Sequence, residues 1–125
     1  MNRLLILPVL LLTLLVGNSA FSADWEKGWT AYDSGDYATA LREWTPLAEQ
    51  GDAGAQSNLG VMYGNGTGVI QDNVYAHMWG NLAASNGNEN GGKLRDFVAK
   101  EMTPSQIETA QKLARECVRK KYKGC

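Results

Sequence analysis

AGAQSNLGVMYGNGTGVIQDNVYAHMWGNLAASNG, residues 53–87, decides the fold. Its first part repeats apolar residues at helical spacing, Ala55, Leu59 and Met62, so a helix is predicted from Ala53 to about Tyr63. A glycine-rich segment, Gly64-Asn65-Gly66-Thr67-Gly68, then allows left-handed backbone and a tight reversal. Asp72 is placed to cap a second helix from about Asn73 to Asn86, because its carboxylate accepts from the first free backbone N–H groups. Two helices joined by so short a turn lie antiparallel.

Outward from this hairpin the helical period continues, and nothing alternates with period two. Upstream, Trp25, Trp29 and Tyr32 fall at i, i+4 and i+7, followed by Tyr37, Leu41, Trp44 and Leu47. Ser34-Gly35-Asp36 ends one helix and caps the next, and Gly51-Asp52 repeats the device. Pro46 falls inside the second pattern and is expected to kink that helix or loosen its last turn. Downstream, Leu94, Phe97 and Val98 give a weaker fifth helix with a soft start at Gly91 and Gly92. Thr103-Pro104-Ser105-Gln106 forms a capping box ahead of the stripe Ile107, Ala110, Leu113, Ala114 and Cys117. About six helices are therefore predicted in an all-α fold of three stacked hairpins. Trp44, Leu47, Ala48 and Gly51 recur as Trp79, Leu82, Ala83 and Gly87, and Gly51 and Gly87 lie 36 positions apart. A period of that size marks a solenoid, in which each hairpin buries its apolar face only against its neighbours.

Residues 1–23 have another character. Asn2 and Arg3 precede an apolar stretch from Leu4 to Val16, interrupted only by Pro8 and Thr13, which is the pattern of an export signal. The run is shorter than the roughly 20 residues of a membrane span, so no stable membrane anchor is expected. Ala23 fits best as the last residue removed, although Phe21 spoils a clean Ala-x-Ala, and the cut is bounded between residues 19 and 24. The expected product is a periplasmic or secreted domain over 24–125. Its net charge is −2, since Arg3 is the one charged group lost from a chain of 12 basic and 13 acidic residues. That balance excludes an electrostatic nucleic-acid binder. The basic residues nevertheless gather late, at Lys112, Arg115, Arg119, Lys120, Lys121 and Lys123. They are read either as favourable charge at a helix C-terminus or as a contact for an acidic partner or anionic envelope surface.

The residues quoted from Ala53 to Gly87 resemble the Sel1-like repeat almost position for position. The preceding Gly28, Ala31, Gly35, Tyr37, Ala40 and Trp44 are similar to a tetratricopeptide-type hairpin. The resemblance implies a first hairpin over 24–51, the Sel1-like repeat over 53–87 and a degenerate closing hairpin over 90–122. It also implies a non-enzymatic scaffold or adaptor whose concave face takes a protein or peptide partner. On that face it puts Trp25, Trp29, Tyr32 and Asp33 from the first hairpin and Ser57, Val61 and Asn65 from the second. The aromatic residues are then either partner anchors or simply the cover of the second helix at the open end of the stack. One position departs from the family: Gly80 stands where an aromatic residue usually follows the Trp, leaving a gap or room for a neighbouring side chain.

Chemistry finds little support. The glycine loop follows a helix rather than a strand and lacks the Lys of a phosphate-binding loop. His77 is the sole histidine, without partners at metal-ligand or catalytic spacing, and reads as a solvent-edge or packed helix residue. Some cysteine-rich Sel1-like proteins are linked to β-lactam binding or hydrolysis, but Ser-x-x-Lys does not occur here. No cofactor or metal is expected. Cys117 and Cys125 pair only if the chain turns back near Gly124, because eight residues of unbroken helix span about 12 Å. An intermolecular bond or a free buried Cys117 are the alternatives.

Overall fold

The computed structural model describes residues 22–125, so the export signal, apart from Ser22 and Ala23, lies outside the described residues. Within them the chain is all-α. In order run α1 (Trp25–Asp33), α2 (Tyr37–Glu49), α3 (Ala53–Asn65), α4 (Asn73–Ser85), α5 (Glu89–Ala99) and α6 (Pro104–Arg119). No described helix is long and apolar enough to cross a membrane.

Local chemistry sets these boundaries. Asp24, Asp36, Asp52, Asp72, Asn88 and Thr103 each cap the helix that follows by accepting a backbone N–H in its first turn. Thr103 and Gln106 complete the capping box in both directions. The Asp36 carboxyl also accepts from the Thr39 hydroxyl at 2.6 Å, and this bond with the Thr39 N–H holds it below the usual carboxylate range. α3 ends at Gly66, whose φ of 68° is the left-handed backbone that the glycine loop permits. α2 runs through Pro46 to Glu49, and the Gln50 N–H is shared between the Pro46 and Leu47 carbonyls, both at 3.1 Å.

Helices stack in sequence, α1 on α2, α2 on α3, α3 on α4, and α4 on α5. The closing pair departs from the expected hairpin: α5 lies against α4 and α3, and α6 lies against α4. The two last helices thus straddle α4 and meet chiefly near their joint, where Val98, Met102 and Ala110 form a small core with Ala76. Close approach drives this arrangement. A Cβ on Gly80 would stand 2.7 Å from the Gly91 carbonyl, so the backbone of α5 occupies the place that the absent side chain vacates. Phe97, expected on the buried stripe of α5, is 64 % exposed, whereas Val98 is buried. The glycine-mediated contact fixes which side of α5 faces inward.

Cys117 and Cys125 form a disulfide with Cα atoms 5.6 Å apart. The reversal that permits it begins earlier than Gly124, at Lys121 and Tyr122, which both take positive φ. It presses Tyr122 back on the stack, where its hydroxyl pairs with Asn86. Asn86 donates to Gln56, and the buried Gln56 donates to the Ala48 carbonyl, so one polar chain ties α2, α3, α4 and the tail together.

Candidate functional site

Five aromatic rings gather where α1 covers α2. Trp44 is the centre: its ring centroid lies 5.1 Å from that of Trp29, 5.7 Å from Tyr32 and 6.0 Å from Trp25, and Tyr37 joins through Tyr32 at 5.3 Å. Several pairs are edge-on, the arrangement that the ring quadrupole favours. Gly28 admits the Trp44 indole, whose Nε1 donates to the Trp25 carbonyl at 3.3 Å.

This cluster leaves a cleft of about 110 Å³ lined by Trp29, Tyr32, Trp44, Asn58 and Val61. Trp44 forms its floor at 1 % exposure, while Trp29 is 40 % exposed at its edge. The wall from α3 carries Asn58, whose Nδ2 is shielded from solvent without a hydrogen-bond partner. An apolar recess of this kind is suited to an apolar side chain.

Three of the residues placed on the concave face by sequence, Trp29, Tyr32 and Val61, converge here. The other four do not. Trp25 turns toward α3, where a Cβ on Gly54 would lie 2.7 Å from its ring, so it packs between hairpins. Asp33 is exposed near the end of α1 and Asn65 at the end of α3, outside the lining. Ser57, expected on the concave face, is buried and does not line the cleft. One residue later, Asn58 takes that place. The slip arises because α3 is covered on several sides, with Gln56, Ser57 and Gly60 buried beside Ala55, Leu59 and Met62. Apolar spacing cannot then tell which polar position faces the groove. Larger depressions lie between α4 and α6, about 440 Å³, and between α4 and α5, about 390 Å³. Asn81, Ser85, Gln111 and Arg115 in the first, and Asn88, Glu89, Lys93 and Asp96 in the second, give them polar walls.

His77 is buried on α4 and its Nδ1 has no hydrogen-bond partner. Burial, and then the nearby Arg95 guanidinium, hold its imidazole below the ordinary histidine range, with Asp96 pulling the other way. Among the described residues no three His, Cys, Asp or Glu groups are placed to hold a metal. The sign of the linkage follows. A histidine held neutral when folded keeps its full contribution above the unfolded pKa of about 6.5 and loses it as pH falls through the lower folded value. In urea titrations, the native protein should therefore lose more stability between pH 7 and pH 5 than His77→Gln; equal losses would contradict the assignment.

No curated protein matches the chain. The family comparison matches residues 53–88, from the first residue of α3 to the cap of α5. That span contains the wall of the cleft, Asn58 and Val61, together with Gly60 and Gly80, which bring α3, α4 and α5 into close contact. The matching family is the Sel1 repeat, and the matched hairpin lies at the centre of the helical stack.

Proposed function

We propose that this chain is an exported, non-catalytic adaptor that captures an extended segment of a partner protein in the cleft of Trp29, Tyr32, Trp44, Asn58 and Val61. The observation that carries the reading is the half-exposed Trp29 indole at the edge of an apolar recess floored by Trp44. The occupant has an apolar side chain that fills the recess. Export rests on the apolar leader read in residues 4–16 and on the disulfide, which suits an oxidising compartment. A photo-crosslinking residue at position 61 identifies the partner in the intact cell envelope. Trp29→Ala should weaken that partner by about 30-fold or more, as removal of an anchoring indole does at an interface. Unchanged affinity with native circular dichroism would end this reading.

The basic tail supports a second mode of contact. Lys112, Arg115, Arg119, Lys120, Lys121 and Lys123 are all exposed, and they extend over the last turns of α6 and beyond it. Such a surface draws the scaffold to acidic envelope polymers or lipid headgroups. Binding to vesicles containing anionic lipid, present at low salt and lost at high salt, is its test.

A further inference from the structure

Glu43 lies on α2 facing α1 and is 1 % exposed, and each of its carboxylate oxygens meets the start of α1. Oε2 accepts from the backbone N of Asp24 at 3.0 Å. Oε1 has the Lys27 ammonium at 3.4 Å but makes no hydrogen bond, and that lysine side chain is more than half exposed. A carboxylate so deeply placed is stabilised by close opposite charge, and the one beside it is carried by a half-exposed lysine side chain. The atom it already faces is the nitrogen of the residue that follows the best-fitting cleavage position of the leader. Ser22, Ala23 and Asp24 lie outside any helix, Asp24 with φ −124° and ψ 114°, and Ser22 and Asp24 are exposed.

We infer that leader removal cuts the Ala23–Asp24 bond, and that the α-ammonium thereby created on Asp24 forms a buried ion pair with Glu43 that fastens α1 to α2. This inference rests on the export reading above. In the cut, water adds across the peptide bond. Its hydroxyl goes to the Ala23 carbonyl as the C–N bond breaks, and its proton goes to the Asp24 nitrogen. The new leader carboxyl ionises while the amine takes up a second proton. The nitrogen that donated a neutral amide hydrogen bond becomes a full positive charge in the same place. A positive charge at the start of a helix opposes the helix dipole, so without an acceptor it would loosen α1. Glu43 is that acceptor, and the Asp24 side chain remains free to cap α1 through the Lys27 N–H.

Intact-mass measurement of the exported protein should give a chain beginning at Asp24. An uncleaved chain would overturn both this inference and the export reading; cleavage at another bond would overturn this inference alone. The processed protein should then be melted beside a version that retains Ser22 and Ala23, each with and without Glu43→Gln. The chain that begins at Asp24 should melt about 5 °C or more above the longer one, and Glu43→Gln should remove most of that difference. A difference that survives Glu43→Gln, or none in the native sequence, refutes the pair. As a second readout independent of folding stability, acylation of the α-amine at neutral pH should be at least about tenfold slower in the processed protein than in its Glu43→Gln variant. Equal rates would refute the pair as well.

Discussion

Trp44→Ala should cost about 3–5 kcal/mol, the usual range for emptying a buried indole. For a domain of this size, whose whole stability is on the order of 5–15 kcal/mol, that is a large fraction. Three effects combine. The indole is almost fully buried, so its removal opens a cavity. Three aromatic rings of α1 lose the partner on which they lean. The Trp25 carbonyl loses its side-chain donor. Because α1 packs on α2 and on no later helix with comparable closeness, the loss falls first on α1. Its amides should exchange with solvent well before those of α4. Trp29→Ala, at the exposed edge, should cost clearly less. An unfolding free energy for Trp44→Ala, from urea titration, within about 1 kcal/mol of the native protein would show that the cluster is not the fastening of the first hairpin.

Much of this architecture was legible because its signals are local. Asp36, Asp52, Asp72 and Thr103 announce their helices through side chains that reach only two or three residues along. The apolar stripes of α3 and α6 also report burial correctly at Ala55, Leu59, Met62, Ala110, Ala114 and Cys117. What stayed hidden depends on neighbours distant in sequence. Asn58 rather than Ser57 lines the cleft, and the two could not be told apart because both are small polar residues on a helix covered from several sides. Phe97 faces outward because two glycines, Gly80 and Gly91, set the contact between α4 and α5. Glu43 reads as a surface charge by type. By position it stands on the stripe of Ala40, Trp44 and Leu47, and that spacing was the available signal for its burial. For Asn58 the signal was weaker: it lies three residues before Val61, one helical turn away on the same face.

Gly80 sets family resemblance and structure in direct opposition. By resemblance, Gly80→Tyr restores the aromatic residue that usually follows the Trp of a Sel1-like repeat, and it also replaces a glycine within a helix, a change worth up to about 1 kcal/mol in helix propensity. The structure predicts the reverse. A first side-chain atom at this position already stands 2.7 Å from the Gly91 carbonyl and 3.2 Å from the Arg95 nitrogen, and both are backbone atoms of α5 that cannot turn aside. Gly91 in turn abuts the Gly80 carbonyl and the Ala83 side chain, so α5 cannot slide without losing that contact. Gly80→Ala should therefore destabilise by about 1–3 kcal/mol, and Gly80→Tyr by about 3 kcal/mol or more, with α5 displaced from α4. Gly64→Ala is the matched control. It too lies in a helix, but its nearest neighbours would be 3.7–3.9 Å away at ordinary contact distance, and it should gain about 0.5–1 kcal/mol. Thermal midpoints of the three variants separate steric from propensity effects. If Gly80→Tyr melts at or above the native protein, α5 is free to yield, and the close backbone contact does not hold it on α4.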